Sequence, residues 1–144
     1  MSRRSRRHRK QFACGHRGFG QYCHRCADRQ HKIRLRKEQR QAWQATFESD
    51  AVALQKLPKS VVLKVRDILG ALEGGVDYWQ VAGKRLHSAR RIIRIPITRR
   101  YRLLCRDDGK VLTPLKVVSH EDYNLIVGRV HQWLRQCLKE GAKE

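Results

Sequence analysis

Hydrophobic residues recur with a helical period in two stretches of the chain, 57–75 and 119–137. In "LPKSVVLKVRDILGALEGG" (57–75), apolar residues recur every three or four positions, which is the spacing of one helix face. Pro58 suits the first turn of this helix, and Gly74 and Gly75 are expected to end it. A last helix is predicted from Ser119, a good N-cap residue, with apolar residues at helical spacing as far as Cys137.

Between these helices the period changes to two, which is the period of β-strands. Apolar and polar residues alternate in three stretches, 91–97, 100–106 and 111–118. The last two are separated by "DDGK", in which Asp108-Gly109 is a strong hairpin signal. The sequence therefore predicts an α+β fold with a small antiparallel three-stranded sheet packed with helices.

Residues 28–48 are predicted to form a long, basic connecting helix. They contain no Gly or Pro and are rich in Arg, Lys, Gln and Ala, which are good helix formers. Apolar residues are sparse, so most of this helix is expected to face solvent or a ligand. Trp43 and Phe47 lie four apart and are expected to dock its end on a core. A short strand over 43–47 is the alternative.

The charge of the chain is strongly positive and uneven. Its 144 residues include 33 Lys and Arg against 13 Asp and Glu, a formal net charge of +20, and residues 1–40 hold 14 of the bases and only two acids. Such a chain attracts polyanions, of which nucleic acid is the commonest partner and an anionic membrane surface the alternative. Residues 1–10, "MSRRSRRHRK", are predicted to be a disordered basic arm that binds nucleic acid rather than a solubilising tail.

The chain shows no sign of membrane insertion or export. No stretch approaches the roughly 20 apolar residues of a membrane span, and no apolar signal region follows the basic start. An organelle transit peptide is the alternative for that start, but the cysteine cluster follows it closely. We therefore expect a cytoplasmic protein with reduced thiols and no membrane partner.

Residues 11–27 are predicted to form a zinc-binding module. The spacing C-x-H-x6-C-x2-C places two close pairs of soft ligands, Cys14 with His16 and Cys23 with Cys26, as tetrahedral zinc requires. His24 lies between two cysteines and is expected to point away, so His16 is the preferred fourth ligand. A closed set of four ligands leaves no position for a reactive water, so one structural Zn²⁺ is expected. The remaining cysteines, 105 and 137, lie in strand and helix patterns and are expected to be small buried hydrophobes rather than redox groups.

Arginine is concentrated in the predicted sheet. Candidate phosphate-binding residues are Arg91, Arg94, Arg99 and Arg100. Guanidinium groups match phosphate oxygens with their planar forks, and strand alternation sends Arg100 and Arg102 to the same face. From charge alone, a solvated sheet face explains these arginines equally well.

Two parts of this chain resemble known protein families. Residues from about Leu57 to Tyr123, with "LPKSVVLKVRDILGAL" followed by "GKRLHSARRIIRIPITRRYRLLCRDDGKVLTPLKVVSHEDY", resemble the RelE/ParE toxin superfamily. The front of the chain is similar to an uncharacterised zinc-binding family whose members join "CGH-x-GFGQYCHRC" to such a body. The expected domains are thus the arm (1–10), the zinc module (11–27), the connecting helix (28–48) and a RelE-like domain (49–144).

The toxin resemblance implies contact with the ribosome or mRNA, an antitoxin protein as partner and, in RelE-type members, endoribonuclease action without metal. It implies three catalytic candidates. His120 would act as acid or base, Tyr123 would position or stack on a nucleotide, and Arg102 of "YRL" would hold phosphate. A histidine that merely starts a helix is the alternative for His120.

Three functions are open at this point. The leading one is a zinc-binding, RNA-binding protein that cleaves mRNA or acts at the ribosome. A second is a non-enzymatic zinc-ribbon adaptor that binds DNA or protein. A third, implied by ParE-like members of the superfamily, is a toxin that poisons a protein target such as gyrase.

Overall fold

The structure is a computed structural model that describes residues 8–141. The described chain forms two compact units, one ending at Thr46 and the other starting at Phe47. The predicted basic arm falls largely on residues 1–7, which lie outside the described residues.

The first unit consists of a short hairpin and a long helix. Strands β1 (Lys10–Gln11) and β2 (Arg17–Gly18) pair antiparallel, and helix α1 spans His24–Ala45. A 3₁₀ turn at Thr46–Ser49 leads into the second unit. The helical prediction for this segment is confirmed, although α1 begins four residues earlier than predicted, and the strand alternative at 43–47 is wrong. None of the described residues of this unit is buried, so its own side chains form no core.

The second unit is an α+β domain. Its elements are α2 (Lys59–Glu73), a 3₁₀ turn (Tyr78–Val81), β3 (Lys84–Arg85), β4 (Ile92–Pro96), β5 (Tyr101–Asp107), β6 (Leu112–Ser119), α3 (His120–Gly128) and α4 (Val130–Gly141). The four strands form one antiparallel sheet in the order β3-β4-β5-β6. The predicted α+β class is confirmed, but the predicted count of three strands is wrong. The fourth strand, β3, has two residues and is too short to show a period.

The single helix predicted after β6 is two helices. Ser119 caps α3 as predicted, because its Oγ accepts a hydrogen bond from Asp122 N at 3.1 Å. The chain then breaks at Arg129, whose φ of −138° and ψ of 35° are not helical, directly after Gly128. Helix α4 restarts one residue later at Val130, which is buried.

Strand register decides which arginines face α3. Pairing of Ile92 with Arg106 and of Pro96 with Arg102 places Ile92, Arg94, Leu104 and Arg102 on one face of the sheet. On that face the apolar core joins Ile92 and Leu104 to Tyr123 of α3 and Val130 of α4. The opposite face carries fully buried residues of the other parity, Ile93, Ile95, Leu103 and Cys105.

Two contacts fix β3 beside the rest of the sheet. Gly83 packs so closely that a Cβ on it would lie 2.6 Å from Tyr78 O and 3.2 Å from Ile93 Cγ2. Arg85 donates hydrogen bonds to Tyr78 OH, at 3.2 Å, and to the carboxylate of Asp107 in β5. Residues 83–86, "GKRL", therefore need their glycine for close packing, and Leu86 is buried in the core.

Candidate metal centre and nucleic-acid interface

Four predicted metal ligands converge in the first unit. The Nδ1 atom of His16 lies 3.4 Å from Cys14 Sγ, 3.4 Å from Cys23 Sγ and 3.3 Å from Cys26 Sγ. All four ligand atoms lie within 4.8 Å of one another. Glycine provides the two tight bends of this loop, since Gly15 and Gly20 have φ values of 89° and 94°.

The donor set and its spacing fit one zinc ion. For Zn–S bonds of about 2.3 Å and Zn–N bonds of about 2.0–2.1 Å, a tetrahedron separates a nitrogen from a sulfur ligand by roughly 3.6 Å. The observed separations of 3.3–3.4 Å are close to that edge. His24 is exposed and stands outside the cluster, with its ring 4.6 Å from that of Tyr22. The predicted ligand set is confirmed, and the set is suited to one zinc ion.

Hydrogen bonds within the metal centre shift the pKa of two of its thiols. The backbone N–H of His16 lowers the pKa of Cys14, whereas the hydrogen bond that Cys26 shares with Cys14 raises the pKa of Cys26 to about 11. Zinc binds thiolates, so its binding at neutral pH would displace the proton of Cys26. Since Cys23 is the N-cap residue of α1 and Cys26 lies in its first turn, the metal and the start of the helix share residues.

In the second unit, a cationic cluster surrounds Tyr123. Arg94 Nη1 donates a hydrogen bond to Tyr123 OH at 3.2 Å, and the Arg94 guanidinium carbon lies 5.4 Å from the centre of the ring. The Arg102 guanidinium carbon lies 6.0 Å from the same ring centre, at cation–π distance. Both arginines are half-buried, so part of each side chain remains accessible to solvent.

His120 joins this cluster from the first turn of α3. Its backbone N–H donates to Arg100 O at 2.6 Å, and its Nδ1 lies 3.4 Å from Arg102 Nη2. A guanidinium group has only donors, so a hydrogen bond at this contact requires His120 Nδ1 to be the acceptor. A second contact holds the Arg102 guanidinium, because its Nη1 donates a hydrogen bond to Thr98 O at 3.2 Å.

A cleft of about 400 Å³ opens beside His120. It is lined by Arg99, Arg100, Tyr101, Ser119, His120 and Glu121. The structure thus brings Arg99 and Arg100, predicted to bind nucleic acid, together with His120. Glu121, for which the sequence indicates no functional role, is the carboxylate that lines this cleft.

Two other predicted site residues, Tyr123 and Arg91, are placed as follows. Tyr123 is only 8% exposed and its ring packs in the core beneath the two arginines, so it is not available to stack on a base. Arg91 lies just before β4, five residues from Pro96, which pairs with Arg102. Five residues of strand span about 17 Å. Arg91 therefore lies outside the cluster.

The remaining cysteines lie in the second unit. Cys105 is fully buried in β5, and this burial raises its pKa to about 12. Cys137 of α4 is half-buried. Among residues 8–141, no helix has the length and apolar character needed to cross a membrane.

Two family profiles match this chain, and together with the metal centre they support a toxin-like zinc-binding protein. Residues 59–125 match the family profile of the ParE-like toxin domain, and residues 8–30 match that of a zinc-binding domain of unknown function (DUF7682). The first match contains Arg94, Arg102, His120 and Tyr123, and the second contains all four metal ligands. No curated protein and no solved structure matches the chain. The expected union of a RelE/ParE-like body with an N-terminal zinc module is confirmed.

Proposed function

We propose that the protein binds RNA at the edge of the sheet where α3 begins and cleaves it there as a metal-independent endoribonuclease. The observation that supports this most directly is the contact of Arg102 with His120, beside an open cleft lined by Arg99 and Arg100. Arginines would hold the phosphate, and a histidine next to them would act on the neighbouring ribose hydroxyl.

In this proposal His120 would act as the base, with Arg102 beside it. A phosphate in the cleft would attract Arg102 Nη2, which would then release the lone pair of His120 Nδ1. The proton of a ribose 2′-hydroxyl would pass to Nδ1 while O2′ bonds to phosphorus, the P–O5′ bond breaks and the 5′-oxygen takes a proton from water. The products would be a 2′,3′-cyclic phosphate and a 5′-hydroxyl end. Arg94 and Arg102 would stabilise the charge of the phosphorane.

In this proposal Tyr123 is a positioning residue. Its hydroxyl accepts from Arg94, and its ring lies under both guanidinium groups, so it would hold them at the rim of the cleft. Glu121 would offer a second proton acceptor in the same cleft. The zinc ion would have no role in the chemical step, because its four ligands leave no open position.

The test is cleavage of a labelled RNA of mixed sequence by purified variants. His120→Ala and Arg102→Ala are expected to slow cleavage by about 10²–10⁴-fold, the range of a general base or an oxyanion-stabilising group. Lys110→Ala is the matched control, because it removes one exposed cation at the opposite end of β5. Equal losses in all three variants would show that bulk charge is being measured and would refute the assigned roles.

The ParE-like match favours a second candidate, a toxin that acts on a protein target such as a topoisomerase without cutting RNA. In that case purified protein would inhibit topoisomerase turnover while leaving RNA intact. A toxin–antitoxin context also follows from the match, and we propose a protein antitoxin as a partner. Growth inhibition on expression, relieved by a protein encoded beside the gene, would support that partner.

A further inference from the structure

The bases of α1 lie on one side of the helix. At about 100° per residue, positions spaced by four, three, four and four residues fall within an arc of about 80°. Five of the seven Lys and Arg residues of α1 have this spacing and form what we call the α1 stripe: Arg25, Arg29, Lys32, Arg36 and Arg40. The other two bases, Arg34 and Lys37, lie outside the arc.

The α1 stripe is open to solvent. All five of its residues are exposed, and α1 has no buried residue. Within residues 8–141, Asp28 forms an ion pair with Lys32 of the stripe at 3.0 Å, and both side chains of that pair are highly exposed. The other acid of the helix, Glu38, lies on the opposite side of α1.

This arrangement destabilises the helix unless an anion covers it. Successive residues of the stripe are neighbours at i,i+3 and i,i+4, and like charges at these spacings repel. No buried side chain within α1 offsets the repulsion. A row of phosphates would remove it, and the stripe is about 22 Å long from Arg25 to Arg40, enough to follow several successive phosphates.

We infer that α1 binds the phosphate backbone of RNA through this stripe, as an element separate from the cleft beside His120. The inference goes beyond the proposed function, because it assigns affinity to residues outside the toxin-like domain. Lys32, Arg36 and Arg40 lie outside both matched regions, which end at residue 30 and begin at residue 59. Since the contacts are to phosphate, this part of the binding would be independent of base sequence.

The test compares two sets of substitutions on the same helix. Arg29→Gln, Lys32→Gln and Arg36→Gln together remove three charges of the stripe, while Arg34→Gln with Lys37→Gln removes two charges from outside it. Glutamine is a good helix former, and circular dichroism checks that helix content is kept. The measured quantity is the slope of log K against log salt for a 24-nucleotide single-stranded RNA.

The triple variant is expected to lower the magnitude of this slope by about 2, at about 0.7 for each phosphate contact, while the double variant keeps the wild-type slope. An unchanged slope in the triple variant, or an equal loss per charge in the double variant, would overturn the inference. Binding to anionic lipid vesicles but not to RNA would also overturn it. The readout does not involve cleavage. Wild-type protein that binds through the stripe and leaves RNA uncut would refute the proposed ribonuclease and leave this inference standing.

Discussion

Removing zinc is expected to unfold α1 and leave the ParE-like domain folded. Cys23 is the N-cap residue of α1 but makes no side-chain capping hydrogen bond, and Cys26 lies in the first turn. The zinc ligands would therefore fix the N-terminal start of this helix. No described residue of the first unit is buried, whereas every buried hydrophobic residue lies at or beyond Phe47.

The size of the effect follows from the lengths of the helices. Helix α1 has 22 residues, against 15, 9 and 12 in the other three, so it carries about two fifths of the helical residues described. In proteins most helical stability comes from tertiary packing, whereas α1 has no buried residue and the like charges of the stripe weaken it further. Chelation should therefore remove roughly a third of the circular dichroism signal at 222 nm.

The assay is circular dichroism during titration with a zinc chelator in reducing buffer, followed by a thermal scan. The domain from Phe47 onward should melt at the same temperature with and without zinc. Cys26→Ser should reproduce the chelated state, and His24→Ala, which changes an exposed histidine outside the cluster, should behave as wild type. An unchanged helical signal after zinc removal, or loss of the thermal transition of the domain, would refute this reasoning.

Three further predictions concern the domain itself. Gly83→Ala should destabilise the domain by about 1–3 kcal/mol in urea unfolding, because the new Cβ would overlap Tyr78 O. The control Gly70→Ala, with open space around it in α2, should stabilise the domain by about 0.5–1 kcal/mol. Equal changes in stability in the two variants would contradict the packing argument. The Cys105 thiol, whose pKa burial raises to about 12, should react with a thiol reagent at pH 8 only at the rate of unfolding, and fast labelling of the folded domain would contradict its burial. The backbone N–H of Gly109, followed by the Arg85 guanidinium, lowers the pKa of Asp107 below its unfolded value. The stabilisation from this carboxylate is therefore present above about pH 4 and lost as pH falls through the folded pKa. Wild type and Asp107→Asn should converge in stability at low pH, and a constant difference across the acid range would contradict this.

The metal centre could be predicted from sequence because it is local. Its four ligands lie within 13 residues, so spacing alone restricts the geometry, and the glycines at 15 and 20 mark the bends. Helix α2 and the three longer strands were predictable for a related reason, since each shows its own period. Strand β3 shows none, and it pairs with β4 because Gly83 packs closely and Leu86 is buried beyond it.

The cluster on the sheet could be predicted only in part. Alternation showed that Arg102 shares a face with other residues of its parity, but it could not show that α3 covers that face. Burial of Tyr123 under Arg94 and Arg102 depends on how α3 packs on the sheet, which no local pattern contains. The same packing places Glu121 in the cleft. The roles assigned to His120, Arg102 and Tyr123 stay predictions.

We propose that the edge of the sheet at Arg102 and His120 cuts RNA by attack of the 2′-hydroxyl. The most direct test is mass spectrometry of the ends that purified, zinc-loaded protein leaves on a defined RNA. Cleavage by this route should leave 2′,3′-cyclic phosphate ends opposite 5′-hydroxyl ends. Intact RNA, or ends with a 3′-hydroxyl and a 5′-phosphate, would contradict it.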